Sequence, residues 1–78
     1  MKQYKTINDM EIGDTSLIVS MNRIPKRIYN RFLDLGIAPN AKVKLLNKIN
    51  FNKLFIIEVD DVEICIRQKD AKAIDIEY

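Results

Sequence analysis

From Val62 to Arg67 apolar and polar residues alternate without a break, Val62, Ile64 and Ile66 against Glu63, Cys65 and Arg67. This two-residue period is the signature of a β-strand with one buried face. Directly before it, Leu54 to Val59 is a second strand-forming run, and Asp60-Asp61 between the two suits a short hairpin turn. Lys42 to Ile49 makes a third strand, with Val43 and Leu45 predicted inward and Lys42 and Lys44 outward. Asn50 to Lys53 is a polar loop interrupted by Phe51. Thr15 to Met21 reads as a further strand, and its predicted buried face is Leu17, Val19 and Met21. Ile7, Met10 and Ile12 form an apolar entry segment closed by the turn pair Gly13-Asp14, while Gln68 to Ala73 is one helical turn before a last strand, Ile74 to Tyr78. Five short strands in 78 residues point to a mainly β fold, a small barrel, because closure removes exposed strand edges.

One helix interrupts this pattern. Pro25 to Leu35 carries Ile28, Phe32 and Leu35 on one side of a 3.6-residue wheel, with Tyr29 and Leu33 at the edge of that stripe. Proline suits a first helical turn, where its missing N–H has no partner to lose. Gly36 stands where a left-handed cap would end the helix, and Ile37 can then fold back on the last apolar turn. Pro39-Asn40 suits a turn, since proline presets φ and asparagine tolerates a positive value. The expected core joins Leu17, Val19, Ile28, Phe32, Leu35, Val43, Ile64 and Ile76.

The length allows one domain, residues 1–78, and 47% hydrophobic with 31% charged residues is a globular balance. The longest apolar run, Leu54 to Ile57, is far below the ~20 residues that cross a bilayer. Met1 to Lys5 leads into no apolar signal core, and the single cysteine, Cys65, fits a reducing compartment. A cytoplasmic protein, not itself inserted in a membrane, is expected. Net charge is only +2, but residues 21–57 hold eight basic groups against Asp34 alone, whereas residues 58–78 hold seven acidic groups against Arg67, Lys69 and Lys72.

Catalysis has little to work with. There is no histidine, the side chain that titrates naturally near neutrality. Cys65 has no histidine to activate it as a nucleophile. Asp60, Asp61 and Glu63 read as a polar hairpin tip, since neither a thiolate nor an imidazole accompanies them as a metal ligand. Two glycines, Gly13 and Gly36, cannot build a phosphate-cradling loop. No catalytic residue, metal site or cofactor is predicted.

Arg31-Phe32-Leu33-Asp34-Leu35-Gly36-Ile37-Ala38-Pro39 resembles the central motif of the FeoA family, in which a helix end rich in arginine and leucine runs into leucine-glycine, a hydrophobic residue and proline-glycine. Ile7 to Gly13 is similar to the family's opening segment, Val62 to Arg67 to its late strand, and Ala73 to Ile76 to its closing strand. Asn40 replaces the expected glycine, which the turn tolerates. Leu35, Gly36 and Pro39 are the structural part of the motif. The resemblance implies an SH3-like barrel with an inserted helix. It also implies an accessory to FeoB, the membrane permease whose cytosolic part carries a GTPase domain, so that the protein would reach the inner face of the membrane through that partner.

The surface offered to such a partner is the helix. Lys26, Arg27 and Arg31 form a basic arc, with Arg23 adding charge nearby, and Tyr29 and Leu33 border the apolar stripe. Arg27 and Arg31 are four residues apart and repel one another, which local helix stability does not explain and an acidic partner would. Two other readings fit parts of the sequence. The basic middle with Tyr29, Phe51 and Phe55 could serve a nucleic-acid or ribosome-binding barrel, although these aromatics fall mostly on apolar faces and no nucleic-acid partner is expected. A regulatory barrel related to the C-terminal domain of iron-dependent repressors is the other; against it, the barrel begins close to Met1, with no helix-turn-helix before it. No feature of the sequence encodes the oligomeric state.

Overall fold

In the computed structural model, which describes residues 5–77, six antiparallel strands form one sheet in the order β1-β6-β2-β3-β4-β5. They are β1 (Lys5–Thr6), β2 (Thr15–Ser20), β3 (Lys42–Ile49), β4 (Leu54–Val59), β5 (Val62–Arg67) and β6 (Asp75–Glu77). Helix α1 (Lys26–Asp34) lies between β2 and β3, and the single turn α2 (Gln68–Ala71) between β5 and β6. All five strands expected from the alternation are present. The sixth is the two-residue β1, which pairs Lys5 with Ile76 and Thr6 with Asp75. Tyr78, predicted to end the last strand, lies outside the described residues, as do Met1 to Tyr4.

The core is the inner face of this bent sheet. On β4 and β5, Phe55 faces Ile66 and Ile57 faces Ile64, and all four are buried. Val43 and Leu45 are buried and the flanking Lys42 and Lys44 exposed, as the pattern of β3 requires. A bulge between Leu45 and Asn47 then shifts the phase by one residue, so that Lys48 pairs with Phe55 and carries its Nζ 5.2 Å above that ring. Asp60 and Asp61 both have positive φ, 52° and 65°, the backbone of a tight hairpin turn. Val62, at the end of its strand beside this turn, is exposed rather than inward.

Strand β2 departs from its predicted register. Ile18 is 1% exposed, whereas Leu17 and Val19, expected in the core, are 42% and 56% exposed. The pairing shows why: Ile18 lies opposite Ile76 on the inner face, and a bulge at Val19 separates it from the Ser20–Asp75 pair. That bulge changes the phase before Met21, which is buried as predicted. Ile12 is also exposed, because the entry segment forms a 3-10 turn over Ile7–Asp9 that buries only Ile7 and Met10.

Candidate functional site

Helix α1 begins one residue later than its sequence pattern suggests. Pro25 is its N-cap, with extended ψ (143°), and its carbonyl accepts the Tyr29 N–H at 2.8 Å. The C-terminus closes as expected. Gly36 has φ of 92°, its N–H donates to the Leu33 carbonyl at 3.1 Å, and the Ile37 N–H donates to the Phe32 carbonyl at 2.9 Å. This pair of bonds is a Schellman cap, and it turns Ile37 into the core. The Ala38 carbonyl then accepts the Ala41 N–H at 3.0 Å across Pro39-Asn40, where Asn40 takes φ of 75°. That is a type II turn, and it explains why asparagine can stand at this position. Leu35 belongs to the cap rather than to the buried stripe and is exposed, a correction to its predicted place in the core.

Phe32 is the helix's buried anchor, and Ile28 and Tyr29 pack half-buried against the core on either side of it. The opposite surface holds Lys26, Arg27, Asn30, Arg31 and Asp34, all exposed. At roughly 100° per residue, the predicted partner-binding residues divide into two groups. Lys26 and Leu33 adjoin Tyr29 along one edge, whereas Arg27 and Arg31 lie side by side beyond Ile28 along the other. The structure therefore does not gather the five residues into one patch; the two arginines form one edge and the Tyr29–Leu33 pair the other.

The electrostatics of the helix are unusual at its start. Its first turn contains Lys26 and Arg27 and no acid. Cations there oppose the positive end of the helix dipole at a cost of about 0.3–1 kcal/mol each. Among the described residues, Lys26, Arg27 and Arg31 make no ion pair, since the two pairs present are Arg23 with Asp75 and Arg67 with Asp70. Arg23, counted with the basic arc in the sequence, is instead bound to β6 through Asp75 and is neutralised locally. Nothing in the sequence distinguishes Arg23 from its neighbours, because the pairing spans the whole fold.

The remaining sequence candidates fall elsewhere. Cys65 is exposed on the outer face of β5, opposite Ile56. Glu58 and Glu63 pair across β4 and β5 beside the Asp60-Asp61 turn, at the far end of the sheet from Phe51. Among the described residues, no three His, Cys, Asp or Glu side chains gather as a metal-binding group, and no helix is long and apolar enough to cross a membrane.

Comparison with known proteins follows the same lines. The family model described as FeoA domain matches residues 5–78. A protein of Campylobacter jejuni with the provisional name Fe(2+) transport protein A is 28% identical over 71 residues, covering 91% of this chain and 95% of that protein. The solution structure of an FeoA protein from Chlorobium tepidum superimposes with a TM-score of 0.88 at 19% identity, over 94% of this chain and 69% of that one. A manganese-dependent transcriptional repressor contains the same fold, with a TM-score of 0.83 at 16% identity over 94% of this chain and 40% of the repressor.

Proposed function

The chain belongs to the FeoA domain family, and from that premise we propose that it is a non-enzymatic accessory of bacterial ferrous iron transport that binds the cytosolic, GTPase-containing region of an FeoB-type permease. The observation that carries this reading is the unpaired basic edge of α1. Arg27 and Arg31 repel each other, Lys26 and Arg27 oppose the helix dipole, and no acid of the described residues pairs with them. An acidic partner surface would supply the missing counter-charge and would also speed encounter. GTP chemistry belongs to the partner in this scheme, which needs no phosphate loop here. The repressor likeness, at 16% identity, extends to the fold alone.

The test is a titration of wild type and the Arg27→Glu/Arg31→Glu double variant against the permease's cytosolic region at two ionic strengths. The wild-type affinity is expected to fall with salt and the double variant to bind more weakly. Its melting temperature should stay nearly unchanged, because both side chains are exposed and their dipole effects oppose one another. A carboxylate at position 27 would favour the helix start about as much as one at position 31 would disfavour its last turn. Equal affinities, or binding indifferent to salt, would move the contact to the Tyr29–Leu33 edge or off the helix.

A further inference from the structure

At the β3–β4 turn, Asn50, Phe51 and Asn52 all have positive φ, 55°, 59° and 65°, and the Lys53 N–H closes the turn on the Asn50 carbonyl at 3.2 Å. Asparagine visits this left-handed region readily; a bulky aromatic does so at a cost. Phe51 gains nothing for it within the chain, since its side chain is 95% exposed at the tip of the turn. Strain and an exposed ring at one residue are the kind of local disadvantage that an external contact offsets.

The surroundings of the ring indicate what that contact is. The Lys53 carbonyl accepts the Gln68 N–H at 2.8 Å, and Arg67 pairs with Leu54, so residues 67–69 run alongside the turn. Lys53, Arg67 and Lys69 are exposed there, with the Asp70 carboxylate 4.0 Å from Arg67. At the other end of β4 and β5, one strand length or ~20 Å away, stand Glu58, Asp60, Asp61 and Glu63. Lys42 and Lys44 stand beside these acids, which outnumber them four to two, so the hairpin is electrically polarised with the exposed ring at its positive end. Ile49, 39% exposed, pairs with Leu54 at the base of the turn and adds one apolar side chain there, far less apolar surface than a protein interface places around its aromatic anchors. A protruding aromatic with a basic collar instead matches the boundary of an anionic bilayer, where the ring enters the headgroup layer and the cations meet lipid phosphates.

We propose that the β3–β4 turn is a membrane-docking tip, in which Phe51 inserts into the interface of an anionic lipid surface and Lys53, Arg67 and Lys69 contact its headgroups. One ring and three cations give weak, reversible binding, so the contact orients the protein at the membrane rather than anchoring it. The proposal is independent of the permease reading, because vesicles free of protein test it.

The chain contains no tryptophan, so Phe51→Trp places a single reporter at the tip. Its emission should shift to the blue, and brominated lipid should quench it, with vesicles of phosphatidylcholine plus phosphatidylglycerol. Phosphatidylcholine alone should have little effect, and salt should reverse the response. In vesicle flotation, Phe51→Ser should lower the partition coefficient about ten-fold and Lys53→Gln about five-fold, as loss of one interfacial ring and of one basic group predicts. Emission indifferent to anionic vesicles, or equal partitioning of wild type and Phe51→Ser, would overturn the proposal. So would a reporter that stays wet on vesicles while Phe51→Ser loses affinity for the permease's cytosolic region, an outcome that would make the tip a protein contact.

Discussion

Phe32 holds the one long helix to the sheet, and its side chain is only 7% exposed. Phe32→Ala should cost about 3–5 kcal/mol, the sum of lost transfer energy and the cavity left behind. That is a large share of the ~5–15 kcal/mol available to a folded domain. A urea melt monitored by circular dichroism measures it, and a loss below about 1 kcal/mol would mean the helix is not anchored there. Its role was legible in the sequence because Ile28 and Phe32 repeat at helical spacing just before a glycine. The same local logic found Gly36 and Asn40, whose positive φ values of 92° and 75° are ones that glycine and asparagine tolerate. It could not find the Arg23–Asp75 pair, because those residues are 52 positions apart and meet only when β6 docks on β2.

Among the elements, β2 shows how an apolar run can be ambiguous. Leu17, Ile18 and Val19 are three consecutive apolar residues, so either parity offers a plausible inner face. Met21 argues for the odd set, but the bulge at Val19 lets Ile18 and Met21 both be buried although they are three residues apart. The observed register predicts that Ile18→Ala destabilises the protein by about 2–5 kcal/mol and Leu17→Ala by less than about 1 kcal/mol. Chemical denaturation of the two variants decides between the registers, and the reverse ranking would restore the alternation read from the sequence. In β5, where no two inward candidates are adjacent, pattern and structure agree at Ile64 and Ile66.

For the whole molecule, stability should be uneven. The ladders joining β3 to β4 and β4 to β5 are the longest in the sheet and enclose the fully buried Leu45, Phe55 and Ile57. Helix α1 is held through one face only, and β1 contributes two residues. Native-state hydrogen exchange should therefore find the slowest amides in β3 and β4, opening only with global unfolding, and faster ones in α1 through local opening. Amides of α1 exchanging as slowly as those of β4 would contradict this ranking. A loosely held helix would suit a surface that adapts to a partner.

Chain order alone was enough for the mainly β architecture, the main helix and its cap, and the two turns at Pro39-Asn40 and Asp60-Asp61. Each of these depends on side-chain periodicity or backbone preference within a few residues. It took the folded molecule to establish that Arg23 is neutralised and that Leu17, Val19 and Leu35 face outward. Folding also places Phe51 at an exposed tip beside Lys53, Arg67 and Lys69, which chain order does not bring together. Bulges change the phase of a strand, and ion pairs and surface patches join residues through the packing of distant elements, which local preference does not encode.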